Sequence, residues 1–205
     1  MSRTTKKLDE SFYDRTDVLK ISRELLGKIL VTRFNGVITS GRIVETEAYA
    51  GEGDRACHAF GGRRTPRTEP IYGSPGTVYI YICYGMHHLF NVVTNKKGIP
   101  HVVLIRALEP VKGIPVMLER TRKEVLDHTL TRGPGNVSRA LGMSKSHSGS
   151  HLLSGEIYIE DDGFTYKKDQ ILVTKRIGVE SAREDAERLY RFIVKGSPNV
   201  SAKKS

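Results

Sequence analysis

Two glutamates, Glu45 and Glu47, stand two residues apart in the segment 41–49, which is otherwise typical of a β-strand. Residues two apart in a strand share one face, so both carboxylates would point the same way. Neighbouring negative charges destabilise each other unless water solvates them or a cleft uses them for acid–base chemistry. The pair is therefore either a solvated strand face or part of a catalytic site.

Alternation along this strand predicts which of its faces is buried. Side chains of a strand point alternately to opposite faces, which gives two sets here: Ile43, Glu45, Glu47 and Tyr49, against Val44, Thr46 and Ala48. The second set is less polar, so Val44 and Ala48 are expected to face the core. Tyr49 would then stand beside Glu47, a candidate general base.

The residues before the glutamates predict the elements that must position them. A polar cap followed by apolar residues near helical spacing predicts a helix over about residues 17–26. Apolar and β-branched residues over 28–34, the turn dipeptide Asn35-Gly36 and the segment 37–49 together predict a β-hairpin. The second strand of that hairpin would carry both glutamates.

A long basic loop is predicted after the glutamates. Residues 50–75 are rich in Gly, Arg, Pro and Thr, with Gly61-Gly-Arg-Arg-Thr-Pro-Arg67 at their centre. A connection of this length without regular structure is unusual in a compact domain and is commonly functional.

The rest of the chain predicts mostly strands. They are expected over 77–84, 89–94, 102–107, 156–159, 171–177 and 192–195. A helix is expected over 116–125, and Gly133-Pro-Gly135 is expected to open a short second helix toward Leu141. Pro110 and Gly113 are expected to break the chain, and the polar segments 1–10, 144–155 and 201–205 to be mobile. Consecutive strands that outnumber helices predict an α+β fold. We expect a single mixed domain over 1–205, with a largely antiparallel, curved β-sheet flanked by short helices.

Aromatic and polar side chains add candidates for the same site. Tyr79 and Tyr81 alternate onto one face of a predicted strand, where they could stack on bases or simply pack in the core. Tyr84 precedes Gly85 at a turn, from which it could project and wedge into a base stack. Three further polar candidates lie in or beside the apolar segments: His58, Asn91 and Arg106.

Other chemistries have weaker support in the sequence. A metal site would need Cys57, His58, Cys83 and His87, but adjacent Cys and His chelate poorly and no C-x-x-C motif accompanies them. We expect both cysteines to stay reduced and Cys83 to be an inert thiol. No Gly-rich nucleotide-binding motif occurs. Gly133-Pro134-Gly135 could bind a phosphate through N–H groups at a helix start.

The charge balance indicates a polyanionic partner. Lys and Arg total 33 against 23 Asp and Glu, a net charge of +10, with a pI near 9.6. Nucleic acid is the first candidate, although a well-solvated basic surface would have the same composition. Apolar content is ordinary and residues 1–10 lack the apolar run of a secretory signal, so we expect a cytosolic protein outside the membrane.

Several motifs, taken in order, resemble the alkyladenine DNA glycosylase family, also called the 3-methyladenine or N-methylpurine DNA glycosylase family. They cover most of the chain: Arg42-Ile-Val-Glu-Thr-Glu-Ala-Tyr49, His58 with Gly61 to Arg67, Pro75 to Met86, Asn91, Leu104 to Pro110, Gly133-Pro134, Arg176 to Val179 and Arg191 to Pro198.

This resemblance implies an enzyme that flips a damaged purine out of duplex DNA and hydrolyses its N-glycosidic bond. The implied substrates are 3-methyladenine, 7-methylguanine, hypoxanthine and ethenoadenine, and the implied product is an abasic site formed without a lysine Schiff base. Matching positions imply that Glu47 is the general base, with His58 and Arg106 beside it. The damaged purine would be bound by Tyr49, His58, Tyr81 and Asn91. Tyr84 would intercalate in the DNA, and the DNA backbone would be contacted by Arg63, Arg67 and Gly133.

The resemblance further implies double-stranded DNA with a damaged purine as partner, and neither a cofactor nor a metal. We expect a monomer, nucleoid-associated in the cytoplasm or nuclear in a eukaryote. Three positions depart from the family pattern: Asn136, where a basic residue is common, and His87 and Asn199, where aromatic residues are common.

Two alternatives remain open at this point. A carbohydrate-type glycosidase could use Glu45 and Glu47 as its carboxylate pair. A non-catalytic nucleic-acid-binding module could use the tyrosines and arginines for DNA and leave the glutamates on its surface.

Overall fold

The structure is a computed structural model that describes residues 5–201. Its described residues form nine strands: Lys6–Lys7 (β1), Ile29–Phe34 (β2), Val37–Tyr49 (β3), Val78–Cys83 (β4), His87–Thr94 (β5), His101–Lys112 (β6), Ile157–Asp161 (β7), Ile171–Thr174 (β8) and Arg191–Val194 (β9). The α-helices are Glu10–Tyr13 (α1), Val18–Glu24 (α2), Ile114–Thr121 (α3) and Pro134–Leu141 (α4).

All nine strands belong to one sheet, and its strand pairs are antiparallel. The main path runs β1-β7-β2-β3-β6-β5-β4, while β9 joins β3 to β8. The strands, short helices and antiparallel pairing confirm the predicted α+β class.

The strand β3 carries the glutamates through the middle of the sheet. Its first half pairs with β2, and its second half pairs with β9 from Glu45↔Ile193 to Glu47↔Arg191. On its other side it pairs with β6, where Glu47 lies opposite Leu104. Neighbouring strands on both sides keep water from the backbone at the glutamates and fix where their side chains point.

Local signals account for the elements that lead into β3. Asp17 accepts a hydrogen bond from the amide of Lys20 at 2.9 Å and caps α2, as its residue type predicts. Asn35 and Gly36 have φ of 51° and 78°, the left-handed pair that a tight hairpin turn requires. The predicted β2–β3 hairpin is confirmed.

The sheet separates two apolar clusters, and neighbouring residues of β4, β5 and β6 belong to different ones. Ile80 on β4 belongs to the larger cluster, which also contains residues of α2, α3 and α4. Tyr79, its neighbour, belongs to the smaller cluster together with residues of the 50–75 loop.

Val44 and Ala48 face the larger cluster, as predicted. The prediction for Ile43 was wrong: it also belongs to the larger cluster, because the pairing of β3 with β6 shifts register between Ile43 and Glu45. The face opposite the larger cluster is available for a site.

One strand prediction was wrong at Pro110. We expected the chain to break there, but β6 runs through it to Lys112, with Gly41 opposite Pro110. The pairing of β6 with β5 ends at Leu104, and proline is tolerated where one side of a strand has no neighbour that needs its N–H. The following helix therefore begins at Ile114 and ends at Thr121, earlier than expected.

Smaller differences concern segments predicted as loops or tails. The 50–75 loop is irregular as expected, but contains three 3₁₀ turns: Gly51–Gly53, Phe60–Gly62 and Glu69–Tyr72. Within the segment 144–155, Gly149 and Ser150 bond the backbone of Val78. Within 1–10, Lys6–Lys7 pair with β7. Residues 1–4 and 202–205 of the segments expected to be mobile lie outside the described residues.

Candidate active site

A pocket of about 430 Å³ opens on the face of the sheet away from the larger cluster. Alternate residues of four neighbouring strands line it: Tyr49 of β3, Tyr79 and Tyr81 of β4, Leu89 and Asn91 of β5, and Leu104 and Arg106 of β6. The period of two along each strand is what brings these distant residues onto one surface. The 50–75 loop, residues 132–136 and residues 177–179 add further walls.

Glu47 lies fully buried directly behind the pocket wall. Its Oε2 accepts a hydrogen bond from the hydroxyl of Tyr49 at 2.8 Å and lies 3.3 Å from Nη1 of Arg106. Its Oε1 accepts from the backbone amide of Ile177 at 2.8 Å. All three partners line the pocket, so the carboxylate is held at the pocket by residues that also form its wall.

Glu45 is equally buried but has a different set of partners. Its Oε1 accepts from Nε of Arg106 at 2.9 Å and from Nε of Arg191 at 2.7 Å. Its Oε2 accepts from both the backbone amide and the hydroxyl of Ser201, each at 2.6 Å. Two donors on each oxygen occupy the acceptor sites of this carboxylate. Glu45 is therefore a structural anion, and the solvated-face alternative is wrong for both glutamates.

Arg106 bridges the two carboxylates. Burial alone would lower the pKa of its guanidinium, but the charges of Glu47 and Glu45 outweigh burial and raise that pKa above its ordinary value. Arg106 thus remains a cation between two anions and fixes the distance between the structural carboxylate and the one at the pocket.

Tyr49 stays protonated and acts as a donor to Glu47. Burial, followed by the nearby charge of Glu47, raises the pKa of Tyr49 well above its ordinary value. The guanidinium carbon of Arg176 lies 4.8 Å from the centre of the Tyr49 ring, a cation–π contact that holds the ring in place.

Arg176 is itself fixed by a buried ion pair with Asp54, at 2.5 and 2.8 Å. Although burial alone would raise the pKa of Asp54, the hydrogen bonds from Arg176 and from the amide of Ala50 hold it below its usual range. Asp54 also accepts from the amide of Ala56, beside the residues that carry His58. The pair therefore joins the end of β3, the 50–75 loop and residues 176–179.

His58 enters the pocket from the 50–75 loop. Its Nδ1 lies 2.8 Å from the hydroxyl of Tyr79, and its ring meets that of Tyr81 edge-on at 4.5 Å between centroids. Burial, together with the positive charges of Arg67 and Arg63, lowers the pKa of His58 to about 4. The imidazole is therefore neutral near pH 7 and can accept or donate at the pocket without adding positive charge.

Asn91 forms part of the pocket edge in a fixed orientation. Its Nδ2 donates to the carbonyls of Tyr79 at 3.2 Å and Leu89 at 3.0 Å. Both amide hydrogens are thus bound to backbone, and the side chain is nearly fully buried. Asn91 therefore presents a rigid polar edge to whatever enters the pocket.

Tyr84 projects from the rim. It lies in the β4–β5 turn with φ of 50°, an uncommon conformation for a non-glycine residue. Tyr84 is 86% exposed and Met86, two residues on, is 69% exposed. The structure confirms that this turn carries a bulky aromatic side chain into solvent beside the pocket.

Basic groups and backbone amides surround the same rim. Gly133 has φ of 88° and begins α4, whose first residues line the pocket. Arg67 is exposed, with its guanidinium carbon 5.5 Å from the centre of the Tyr81 ring. Arg63 is also exposed, and the ion pairs of the described residues involve neither arginine, whereas Arg64 between them pairs with Glu69.

Comparison with known proteins agrees with this arrangement of residues. A sequence model of the methylpurine-DNA glycosylase (MPG) family matches residues 11–198. The chain belongs to the methylpurine-DNA glycosylase family. The resemblance seen in the sequence is therefore confirmed, and the family consists of DNA repair enzymes, which decides against a non-catalytic binding module.

Three bacterial relatives show how much of the chain is shared. Each carries the name "Putative 3-methyladenine DNA glycosylase". The protein of Clostridium perfringens (strain 13 / Type A) is 43% identical and covers 96% of this chain and 100% of its own. The protein of Clostridium acetobutylicum is 43% identical and covers 97% of this chain and 98% of its own. The protein of Chlamydia felis is 45% identical and covers 91% of this chain and 95% of its own.

Within this methylpurine-DNA glycosylase site, sequence reasoning missed four residues: Arg191 and Ser201, which bond Glu45, and Asp54 and Arg176, which fix the ring of Tyr49. Arg176 and Arg191 each begin a motif shared with the family, so a signal existed, but no local pattern showed their contacts. Asp54 lies in the irregular loop, and Ser201 was assigned to a mobile tail. Their partners are distant in sequence, and only the folded chain brings them together.

The three departures from the family pattern have local explanations. Nδ2 of Asn136 donates to the carbonyls of Thr129 and Arg132 at the start of α4. His87 packs so closely on Gly135 that a Cβ there would lie 2.9 Å from its Nδ1. Nδ2 of Asn199 donates to the carbonyl of His128. In this member of the methylpurine-DNA glycosylase family, all three side chains have structural contacts.

Two further findings concern the described residues of this family member. Among residues 5–201, no group of three or more His, Cys, Asp or Glu is arranged to hold a metal ion. The same residues contain no helix with the length and apolar character needed to cross a membrane. Cys57 and Cys83 both line the pocket as free thiols.

Proposed function

We propose that the protein is a monofunctional DNA glycosylase that removes a damaged purine from duplex DNA with a water molecule activated by Glu47. Relatives named for 3-methyladenine support this class of base, and the proposal extends to 7-methylguanine, hypoxanthine and ethenoadenine. The product is an abasic site.

The difference between the two glutamates is the observation that supports this proposal most. Each oxygen of Glu45 accepts from two donors. Among the described residues, Oε1 of Glu47 accepts only from the amide of Ile177, which leaves one acceptor site on that oxygen. A water molecule that donates to Glu47 there would lie beside the pocket. This favours a single general base over a glycosidase with two catalytic carboxylates.

The walls of the pocket suit a planar base. An enzyme that acts on a base within duplex DNA must extrude it from the stack, which costs least for a poorly paired, damaged base. Tyr49, His58 and Tyr81 would hold the extruded purine between aromatic faces. Neutral His58 adds no charge that would repel a cationic alkylated purine.

Charge at the sugar explains why a carboxylate is useful. Departure of the base leaves an oxocarbenium-like sugar, whose positive charge an ionised carboxylate stabilises while it takes a proton from the attacking water. Arg106 holds that carboxylate from behind and contacts the pocket. The fixed edge of Asn91 would crowd the exocyclic amino group of undamaged guanine and so contribute to selectivity.

The rim would engage the DNA outside the flipped nucleotide. Tyr84 would fill the gap that this nucleotide leaves in the stack. Arg63, Arg67 and the amides that follow Gly133 would contact phosphates on either side of the lesion.

The test uses duplexes that each carry one damaged purine, incubated with excess enzyme and a chelator. We expect alkali-labile abasic sites with the native protein. Glu47→Gln should reduce the single-turnover excision rate by about 10²–10⁴, with the affinity for lesion DNA changed only a few-fold. The matched control is Glu109→Gln, an exposed carboxylate on β6, which should excise like the native protein.

Two results would contradict the proposal. Excision by Glu47→Gln at nearly the native rate would remove Glu47 from the mechanism. A covalent protein–DNA adduct trapped by borohydride would show a lysine Schiff base and overturn the monofunctional assignment.

A further inference from the structure

The chain beyond β9 returns to cover Glu45 on the side opposite Arg106. We call residues 199–201 the C-terminal clamp. The amide and the hydroxyl of Ser201 both donate to Oε2 of Glu45 at 2.6 Å. These are two of the four hydrogen bonds that satisfy this buried carboxylate, and the other two come from Arg106 and Arg191.

Three other hydrogen bonds hold the clamp against the body of the protein. Nδ2 of Asn199 donates to the carbonyl of His128 at 3.3 Å. Nε of Arg132 donates to the carbonyl of Val200 at 2.9 Å. Nη2 of Arg191 donates to the carbonyl of Ser201 at 2.7 Å. Every residue of the clamp is thus fixed through a named contact, so Ser201 reaches Glu45 in a defined position.

Loss of the two Ser201 donors would change the contacts of Glu47. A buried carboxylate oxygen without a partner is strongly unfavourable and takes a new donor where one is near. Two cations contact Oε1 of Glu45: Nε of Arg191 lies at 2.7 Å and Nε of Arg106 at 2.9 Å. Of the two, Arg106 is the one that also contacts Glu47, with its Nη1 3.3 Å from Oε2 of that residue. A turn of the Arg106 guanidinium toward the vacated Oε2 of Glu45 would weaken its contact with Glu47.

We propose that Ser201 is a positioning residue for the excision step, acting through Glu45 and Arg106 to hold Glu47 at the pocket. Ser201 does not touch the substrate. Its contribution lies in keeping Arg106 fixed between the two carboxylates, so that Glu47 faces the sugar in one orientation. This inference rests on the proposed role of Glu47 as the general base.

Substitutions at Ser201 test the proposal because they leave the pocket lining unchanged. Ser201→Ala removes the hydroxyl donor, Ser201→Pro removes the hydroxyl and the amide donor, and Ser201→Thr retains both. We expect a single-turnover excision rate about 10-fold lower for Ala and lower still for Pro, with Thr within about 2-fold of native. The dissociation constant for lesion DNA should change less than 2-fold in all three. The control Ser181→Ala, at an exposed serine, should match the native protein.

A double-mutant cycle separates positioning from general destabilisation. If Ser201 acts through Glu45, Ser201→Pro in a Glu45→Gln background should slow excision much less than it does in the native background. Independent, multiplicative effects would overturn the proposal, as would native excision by both Ser201→Ala and Ser201→Pro. The proposal would also be overturned if Ser201→Thr and Ser201→Ala both lost affinity for lesion DNA by the same factor by which their excision rate fell.

Failure of this inference is distinguishable from failure of the proposed function. Native excision by the Ser201 variants together with an inactive Glu47→Gln would reject the clamp alone. Substantial excision by Glu47→Gln would reject the general base, and the clamp proposal with it.

Discussion

At the scale of single residues, Glu45 and Glu47 show that type and burial do not define a role. Both are fully buried and both contact Arg106. Glu45 is saturated by cations and by Ser201, whereas Glu47 retains acceptor capacity beside the pocket. A catalytic carboxylate needs a free lone pair, and only one of the two has it.

His58 gives a prediction at this scale. Burial, with the charges of Arg67 and Arg63, lowers the pKa of His58 from 6.5 to about 4. Between those two pH values the unfolded chain takes up a proton that the folded protein does not, so the free energy of unfolding decreases as pH falls through this window. The loss of unfolding free energy reaches at most about 3 kcal/mol at pH 4. Above pH 6.5 none of it is lost.

Urea unfolding of the native protein and His58→Gln at several pH values checks this. The difference in unfolding free energy between the two should change between pH 6.5 and 4 and be constant above pH 7. An NMR titration of the His58 ring with a midpoint near 6.5 would contradict the prediction.

At the scale of elements, the sheet determines the composition of the site. Four adjacent strands contribute alternate residues to one face, while the other face packs on residues of all four α-helices. The β4–β5 turn carries Tyr84 past the end of the two strands, where its side chain is 86% exposed. The same hairpin thus supplies the aromatic wall of the pocket and the exposed aromatic side chain at its rim.

Tyr84→Ala tests the role of this turn. Because the ring is exposed, we expect the melting temperature to stay within about 1 °C. Loss of a stacking contact worth about 1–3 kcal/mol should weaken binding to lesion DNA roughly 5- to 150-fold. Tyr84→Phe should retain most of the affinity, since it keeps the aromatic face. If Tyr84→Ala and the native protein bound lesion DNA with equal affinity, intercalation by Tyr84 would be contradicted.

At the scale of the whole molecule, the net charge of +10 is the property that acts on DNA over the longest distance. The ordered ion pairs neutralise several basic groups, including Arg64, Arg106 and Arg176. Exposed arginines beside the pocket, such as Arg67, remain available to phosphates. Under the proposed function, the charge of the protein would attract DNA in general, while the pocket would select the base.

Salt dependence of DNA binding measures this contribution. Each phosphate contact adds about 0.9 to the negative slope of log affinity against log salt concentration. Arg67→Ala should reduce that slope by about one and weaken binding to damaged and undamaged duplexes alike. Arg33→Ala, at a residue of β2 that does not line the pocket, is the matched control. An unchanged slope for Arg67→Ala would remove this residue from the DNA interface.

Much of the fold was predictable because its signals are local. The Asn35-Gly36 turn, the Asp17 cap and the alternation in β4 each depend on residues close in sequence, and each prediction was confirmed. The alternation in β3 was confirmed for Val44 and Ala48 but not for Ile43, where the strand shifts register. The path of β6 through Pro110 was not predictable, because it depends on where β5 stops pairing.

The sequence by itself determined the fold class, the family and a set of candidate side chains that line one pocket. Only the tertiary structure showed that both oxygens of Glu45 are saturated by donors, whereas Oε1 of Glu47 has a single donor among the described residues. The donors that separate them, Ile177, Arg191 and Ser201, are 130, 146 and 156 residues from the glutamate that each contacts. Hydrogen bonds between residues so far apart leave no periodic trace in a sequence, since they arise only when the strands have paired.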